Sequence, residues 1–292
     1  MGMRRGGNGM WVGGLAAIIA CLGLAAAAAQ APAPPAAAGL SCVEMEQFLK
    51  TARVGRQRGL PVGVTAPTRA TLDDGTRQHD ASIQTVDVRL PTFPTSRGTE
   101  LNFRDSWQFN VAGYELAKLL ELNMVPPYVE RQVGGVTGSL SWWVSDAMME
   151  KDRVSKKLTP PDLERWNNEM YASRLFHELI GDSDYNMTNM LIAPGWRVWL
   201  IDFTRAFRLA KSLQYAKEVT KVERRLYANL RALSRDELQR RVRTWLTKEQ
   251  IDAVLARRDL LVGALEAQIK SKGDTVFYDL PRVGEPCGTG LN

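Results

Sequence analysis

The order of hydrophobic and polar positions divides the chain near residue 145. Before this point, apolar residues alternate with polar ones in four short stretches, a spacing typical of strands with one buried face. These predicted strands cover residues 68–72, 78–86, 128–133 and 137–144. An Asp-Gly pair separates the first two and a Gly-Gly pair the last two, and both suit hairpin turns. The pattern therefore predicts one small antiparallel sheet.

Two helices and one long loop are predicted around these strands. Apolar residues at mostly helical spacing predict a short helix over residues 42–54 and a longer one over residues 106–122. Residues 90–100 contain two prolines and predict a loop. The first part of the chain is thus expected to be β-rich with one or two helices.

Helical spacing dominates the second part of the chain. Thr159 followed by Pro160 predicts the start of a helix that runs to about Ile180, because proline is favoured at the first helical position. Capping boxes that open at Ser234 and Thr247 predict two further helices. The fold class is therefore α+β, with a small β-rich part followed by a larger helical part.

The N-terminus has the order of a secretory leader. Arg4 and Arg5 precede an apolar, Ala-rich run and then a stretch of small residues. We predict a signal peptide over residues 1–31, a Pro/Ala linker over residues 32–41, and a periplasmic or secreted protein. The alternatives are an uncleaved membrane anchor, or a lipidated N-terminus at Cys21, which ends a weak lipobox-like match. A membrane contact is expected only in these two cases.

Charge and cysteine content narrow the classes of partner. The net charge is +6, and residues 205–272 contain 17 Lys and Arg but 8 Asp and Glu. At helical spacing these charges predict solvated helix faces or, alternatively, a patch for an anionic partner. Neither interleaved aromatic residues nor a zinc-binding spacing accompanies them, so nucleic acid is not expected. Cys42 and Cys287 remain after leader removal and either pair or stay as free thiols.

A polar stretch in the second part concentrates residues that can carry chemistry. Residues 181–189 contain two Asp residues before Tyr185 and two Asn residues after it, and an apolar strand follows. Ala193-Pro194-Gly195 predicts a turn, and the return strand leads to Asp202. In the sequence, a carboxylate and an amide therefore precede a short hairpin, and a second carboxylate follows it. Such oxygen ligands suit a divalent ion that bridges phosphates.

The spacing within this stretch resembles the protein-kinase-like superfamily. Asp184 precedes Asn189 by five residues, and Ile201-Asp202-Phe203-Thr204 is similar to the metal-binding Asp-Phe-Gly segment. The surrounding sequence is most similar to HipA-like and phosphatidylinositol 3/4-kinase-like bacterial proteins. The resemblance covers roughly residues 60–210. It implies a two-lobed fold, and we predict an N-lobe over residues 42–145, a helical C-lobe over residues 146–282 and a flexible tail over residues 283–292.

The resemblance also implies roles for single residues. Asp184 would orient or deprotonate an acceptor hydroxyl, and the acceptor is either a protein or a small molecule. Asn189 and Asp202 would hold Mg²⁺ or Mn²⁺ against the phosphates of ATP. Gly63, Val64 and Thr65 would lie where a phosphate-covering loop belongs.

Two positions depart from the kinase pattern. The strand that should carry a phosphate-binding Lys has Gln84, and the helix position of its Glu partner has Asn110, with Glu115 as the fallback. Amides can bond to each other but bring no charge to a triphosphate. Two functions are therefore predicted side by side: an unconventional, metal-dependent phosphotransferase, and a pseudokinase that serves as a binding module in the cell envelope. The third possibility is an exported structural protein without a site.

Overall fold

The computed structural model describes residues 40–60, 67–95 and 98–280. The predicted signal peptide, most of the linker and the tail lie outside these residues, as do Gly63, Val64 and Thr65. Cys42 is disulfide-bonded, and the chain's other two cysteines, Cys21 and Cys287, also lie outside the described residues. Within the described residues, no helix has the length and apolar character needed to cross a membrane.

Short strands dominate the first part of the chain and helices the second. The strands are β1 (Arg53–Gly59), β2 (Thr68–Asp73), β3 (Gln78–Gln84), β4 (Asp87–Thr95), β5 (Gly98–Ser106), β6 (Tyr128–Val133), β7 (Val136–Trp142), β8 (Met148–Met149), β9 (Met190–Ala193), β10 (Arg197–Leu200), β11 (Val222–Glu223) and β12 (Phe277–Tyr278). The helices are α1 (Cys42–Thr51), α2 (Gln108–Leu119), α3 (Glu150–Ser155), α4 (Leu163–Ile180), α5 (Arg224–Ala232), α6 (Arg235–Val242) and α7 (Lys248–Lys272).

The four predicted strands form one sheet, as expected. The order is β1-β2-β3-β7-β6, and each neighbouring pair is antiparallel. β1 was not predicted, because its exposed Arg and Gln residues give it no alternating pattern. One face of the sheet packs against α1 in a small core that includes Phe48, Leu49, Leu72, Ile83 and Leu140.

The predicted loop over residues 90–100 is wrong. Residues 90–95 and 98–100 belong to β4 and β5, which form a separate two-stranded hairpin between β3 and α2. Pro91 and Pro94 suggested a loop, but a two-stranded hairpin leaves every second N–H of each strand outside the ladder. Prolines are therefore accommodated at such edges. This hairpin lies against the candidate site.

The predicted N-cap of the long helix is also wrong. α4 begins at Leu163 and is capped by Asp162, whose carboxylate accepts from Arg165 N at 2.9 Å. Pro161 disfavours helical geometry at the preceding residue, Pro160, so the helix cannot start at Pro160. The predicted caps at Ser234 and Thr247 are confirmed, because both side chains accept from the backbone of the third helical residue.

The larger hydrophobic core lies among the helices. It joins α2 to α4, α5, α6 and α7, and to the β9–β10 hairpin. Phe109 of α2, Phe176 of α4 and Phe203 are among its fully buried members. Through α2 this core reaches the sheet-bearing part, and the loop that follows α4 lies at its edge.

Candidate functional site

The loop that follows α4 is set by Gly181 and Asp182. Gly181 has a φ of 59°, and a Cβ at this position would lie 2.7 Å from the guanidinium carbon of Arg257. Arg257 is itself buried and donates to the carbonyls of Leu179 and Arg208. Glycine is therefore required at this helix end, both for the left-handed backbone and for the close approach of Arg257.

Asp182 fixes the next turn of the chain. One of its carboxylate oxygens accepts from Asp184 N at 2.9 Å, and the other lies 2.8 Å from His177 Nδ1. The His177 ring also stacks on Tyr185, with ring centroids 4.0 Å apart. His177 therefore has a structural role, and Asp182 holds the turn of the backbone that leads to Asp184.

Asp184 is the accessible carboxylate of the loop. Its side chain is 44% exposed, and its Oδ2 lies 3.7 Å from Arg205 Nη1. Partial burial raises the pKa of Asp184, the Arg205 guanidinium offsets part of this effect, and Asp182 and Asp105 add to the rise. A carboxyl with a raised pKa accepts a proton more readily than an ordinary Asp, which suits a general base.

Asn189 connects this loop to the strand that delivers Asp202. Its Nδ2 donates to the Asp184 carbonyl at 3.3 Å, and its own carbonyl accepts from Ile201 N at 3.0 Å. The second bond continues the β9–β10 hairpin, which was predicted with its turn at residues 193–195. Asn189 and Ile201 are therefore bonded neighbours, and Asp202 is the next residue.

Asp202 sits in a strained and largely enclosed position. Its φ is 60°, its backbone N donates to Tyr128 Oη at 3.3 Å, and Thr204 Oγ1 donates to its carboxylate at 3.0 Å. Burial raises the pKa of Asp202, while hydrogen bonds from Gln84 and Thr204 lower it in part. The hydrogen bonds to the Asp202 carboxylate come from neutral side chains, so a divalent ion that reaches this buried group would stabilise its charged form.

Gln84 and Asn110 face each other, as predicted. Asn110 Nδ2 donates to Gln84 Oε1 and, at 3.1 Å, to Ser139 Oγ. Asn110 Oδ1 accepts from Phe203 N at 2.7 Å, so the network reaches the residue after Asp202. The side chains of Gln84, Asn110 and Ser139 are neutral, so Asp202 is the charged member of this network.

The strand alternation is also as expected, and Glu115 has another role. Ala81 and Ile83 belong to the core on the opposite face of the sheet. Glu115 pairs with Lys118 at 2.7 Å and with Arg241 of α6 at 3.2 Å. Of the two helix positions considered, Asn110 is therefore the one that faces Gln84.

Arg205 and Asp105 are two site residues that sequence analysis missed. Arg205 Nε donates to Asp105 Oδ2 at 2.8 Å, and Asp105 is buried near the end of β5. Burial by itself would lower the pKa of Arg205, but the bond to Asp105 and the attraction of Asp184 and Asp202 outweigh it and raise the pKa. The contact joins residues 100 positions apart, and no local spacing signals it.

A groove of about 1050 Å³ opens beside Asp184. Residues 98–104 of β5 and residues 181–186 of the catalytic-type loop both border the groove. Leu101, Leu209 and Tyr215 give its rim an exposed apolar character. The groove is large enough for part of an acceptor molecule, and the Asp184 carboxylate faces it.

The donor set can hold a divalent ion only with help from a ligand. In the described part of the chain, no group of three or more His, Cys, Asp or Glu side chains could bind a metal. Asp202 and Asn189 supply one carboxylate and one amide oxygen. Such a pair fits Mg²⁺ or Mn²⁺, which commonly complete their coordination with phosphate oxygens and water.

Comparison with known proteins identifies the fold. No model of a known protein family matches the chain, and no curated protein sequence matches it. Among solved structures, hydra Fam20 with sugar is similar over 82% of this chain and 92% of its own, with a TM-score of 0.60 and 14% identity. The Golgi casein kinase is similar over 82% of this chain and 79% of its own, with a TM-score of 0.57 and 11% identity. The Golgi casein kinase with Mn and ADP bound is similar over 83% of this chain and 80% of its own, with a TM-score of 0.56 and 12% identity.

The chain therefore has a protein-kinase-like fold. It has a small antiparallel, β-rich N-lobe and a larger helical C-lobe, as the resemblance in the sequence predicted. At these identities the likeness establishes the fold alone. The more specific resemblance to HipA-like and phosphatidylinositol 3/4-kinase-like proteins stays a prediction, as do the lobe boundaries at residues 42–145 and 146–282.

Proposed function

We propose that this chain is a metal-dependent phosphotransferase of unconventional type. One observation is central to the proposal: Asn189 bonds both to the carbonyl of Asp184 and to the residue before Asp202. Three polar residues with kinase-like spacing therefore lie at one end of a short hairpin. On a kinase-like fold this is the arrangement that phosphoryl transfer requires.

In this proposal Asp184 acts on the acceptor. It takes the proton of an acceptor hydroxyl while that oxygen bonds to the terminal phosphorus of ATP and the bond from this phosphorus to the bridging oxygen of ADP breaks. The exposure of Asp184 toward the groove and its raised pKa support this role. Asn189 and Asp202 are the residues that would hold Mg²⁺ or Mn²⁺, which supplies positive charge to the phosphates.

The nucleotide and metal are supported by one similar structure. The Golgi casein kinase is known with Mn and ADP bound. We infer the same class of ligands for this chain, and we infer that Gly63 and Thr65 cover the phosphates as the resemblance implies. The acceptor is a hydroxyl-bearing protein or small molecule that enters the groove beside Asp184.

The test compares the wild type with Asp184→Asn. Thermal shift of the mature protein with ATP and Mn²⁺ measures binding, and hydrolysis or transfer of [γ-³²P]ATP measures turnover. We expect binding in both proteins and turnover at least about a hundredfold lower in the variant, since general-base catalysis contributes about that much. Turnover that survives unchanged in Asp184→Asn would contradict the proposed base.

The pseudokinase remains the second candidate, favoured by the Gln84–Asn110 pair. Both side chains are buried and neutral, so the strand offers the phosphates no positive charge. A pseudokinase would bind a partner of the cell envelope and transfer nothing. Wild-type protein that binds no nucleotide with either metal, while Asp184→Asn keeps full stability, would favour this function over the enzyme.

Export is proposed from the leader alone. A signal peptide over residues 1–31 would place the protein in the periplasm or outside the cell, with a membrane contact only through an uncleaved or lipidated N-terminus. N-terminal sequencing of protein from a fractionated bacterial host tests this. A first residue near 32 supports export, and a start at Met1 in the soluble cytosolic fraction contradicts it.

A further inference from the structure

We propose that Arg205 is the cation that meets the phosphoryl group in this site, in place of the missing strand Lys. The inference rests on the proposed function and assigns to it a residue outside the kinase-like pattern. Arg205 follows Asp202 by three positions and lines the groove, whereas Gln84 does not line it.

Gln84 offers a phosphate only a neutral amide that is already engaged on both its oxygen and its nitrogen. Its Oε1 accepts from Asn110, and its amide bonds to Asp202. A phosphate would have to compete with the Asp202 carboxylate for the single neutral donor group. A second source of positive charge is therefore needed, because charge neutralisation supplies most of phosphoryl-transfer catalysis.

Arg205 is held in place by one carboxylate and remains close to another. Its Nε is bonded to Asp105 at 2.8 Å, which fixes the plane of the guanidinium. Its Nη1 lies 3.7 Å from Asp184 Oδ2, beyond hydrogen-bond distance, so this pair is an ion pair without a bond. An anion placed between Asp184 and Arg205 can accept from the Nη groups without breaking the bond to Asp105.

Aromatic packing keeps the guanidinium at this position. The Arg205 guanidinium lies 5.4 Å from the ring centroid of Phe103 and 5.7 Å from that of Phe93. These rings stack on each other at 4.0 Å and belong to the β4–β5 hairpin. The hairpin thus presents Arg205 to the site, and the side chain is only 19% exposed.

Arg208 provides a matched control on the same segment. It pairs with Glu100 of the hairpin at 2.8 Å, lies 5.1 Å from the Phe103 ring and is 15% exposed. Both arginines therefore tie the hairpin to the segment after Asp202. The difference is that Arg205 approaches Asp184 and Asp202, whereas Arg208 pairs with Glu100.

The experiment measures the affinity of the mature protein for ATP, ADP and adenosine with Mn²⁺, by calorimetry. We expect Arg205→Gln to weaken ATP binding by about tenfold or more, the loss to be smaller for ADP, and adenosine binding to stay unchanged, as for a lost charged contact. Arg208→Gln should stay within about twofold of wild type for all three ligands. Arg205→Lys should recover part of the loss for ATP.

A double variant separates binding from folding. Arg205→Gln combined with Asp105→Asn removes both charges of the buried pair, and it should show the same loss of ATP affinity as Arg205→Gln with a better-preserved melting temperature. Equal losses in Arg205→Gln and Arg208→Gln, or a loss that is the same for adenosine and ATP, would overturn the inference. A wild type that binds none of the three ligands overturns the proposed function and this inference together, whereas ATP binding unaffected by Arg205→Gln overturns this inference alone.

Discussion

The two sides of Asp202 are built from different chemistry. On the strand side, Gln84, Asn110 and Ser139 are neutral, buried and joined by hydrogen bonds. On the groove side, Arg205 is bonded to the buried Asp105 and lies close to the partly exposed Asp184, so all three side chains are charged groups. The strand side is thus built like a protein core, whereas the groove side has the charged groups of a ligand-binding surface.

The comparison separates two tasks that a Lys–Glu pair usually combines. Such a pair holds the helix against the sheet and also places positive charge at the phosphates. Here the amide network performs the first task, since Asn110 connects α2 to β3 and to Phe203 N. Arg205, whose charge interacts with that of Asp202, lies on the groove side and is the candidate for the second task. Four predictions test this division.

The largest effect is expected from Asn110→Ala on the neutral side. The change leaves Gln84 Oε1 and Phe203 N without their partner, and each unsatisfied buried group costs about 1–3 kcal/mol. We expect a loss of about 3 kcal/mol in the free energy of unfolding, measured with urea. Ser139→Ala is the control, because it removes one partner of Asn110 and should cost about 1 kcal/mol. Equal losses would mean that Asn110 does not organise the network.

A smaller loss is expected from Asp105→Ala on the charged side. The buried carboxylate bonds Arg205 at 2.8 Å, and a hydrogen bond to a charged group contributes about 1.5–3 kcal/mol. We expect about 2 kcal/mol in the same urea experiment. Asp87→Ala is the control on the same hairpin, since its pair with Arg104 is long at 3.9 Å and half exposed. It should cost at most about 0.5 kcal/mol.

The double variant Gln84→Lys and Asn110→Glu restores charge to the strand side. It should bind ATP with Mn²⁺ about tenfold more tightly than the wild type, because a charged donor replaces a neutral one. Calorimetry measures the gain, and Gln84→Lys alone is the control, since it leaves the new cation without a carboxylate partner. Unchanged affinity in the double variant would mean that the strand side does not face the phosphates.

The smallest effect is expected from Asp202→Asn. Because burial raises the pKa of Asp202, the folded state keeps this proton to higher pH than the unfolded chain, and ionisation lowers stability as the pH rises through the folded pKa. The variant should therefore be about 1 kcal/mol more stable than the wild type at pH 7 without metal. The difference should shrink as the pH falls and vanish below about pH 3, where Asp202 is protonated in both the folded and the unfolded state.

Mn²⁺ with ADP is expected to reverse the stability difference between the wild type and Asp202→Asn. Mn²⁺ with ADP should stabilise the wild type and leave Asp202→Asn nearly unchanged, which a thermal-shift titration measures. If both proteins gain equally from Mn²⁺ with ADP, Asp202 is not a metal ligand.

The sequence by itself determined the features that depend on local spacing. Alternation predicted four of the five strands of the main sheet, and the β9–β10 hairpin followed from a turn between two apolar stretches. The five-residue spacing of Asp184 and Asn189 pointed to the loop after α4. These signals are legible because the contacts that cause them join residues close in the chain.

Only the tertiary structure decided which distant residues meet. Asn110 and Glu115 lie roughly 140° apart around a helix of 3.6 residues per turn, so one must face Gln84 and the other must not. Because α2 packs against α6, Glu115 pairs with Arg241, and Asn110 is the residue that bonds to Gln84. In the same way, the pair of Arg205 and Asp105 exists because the β4–β5 hairpin docks beside the site. Contacts across 100 residues depend on the assembled core and leave no periodic trace in the chain.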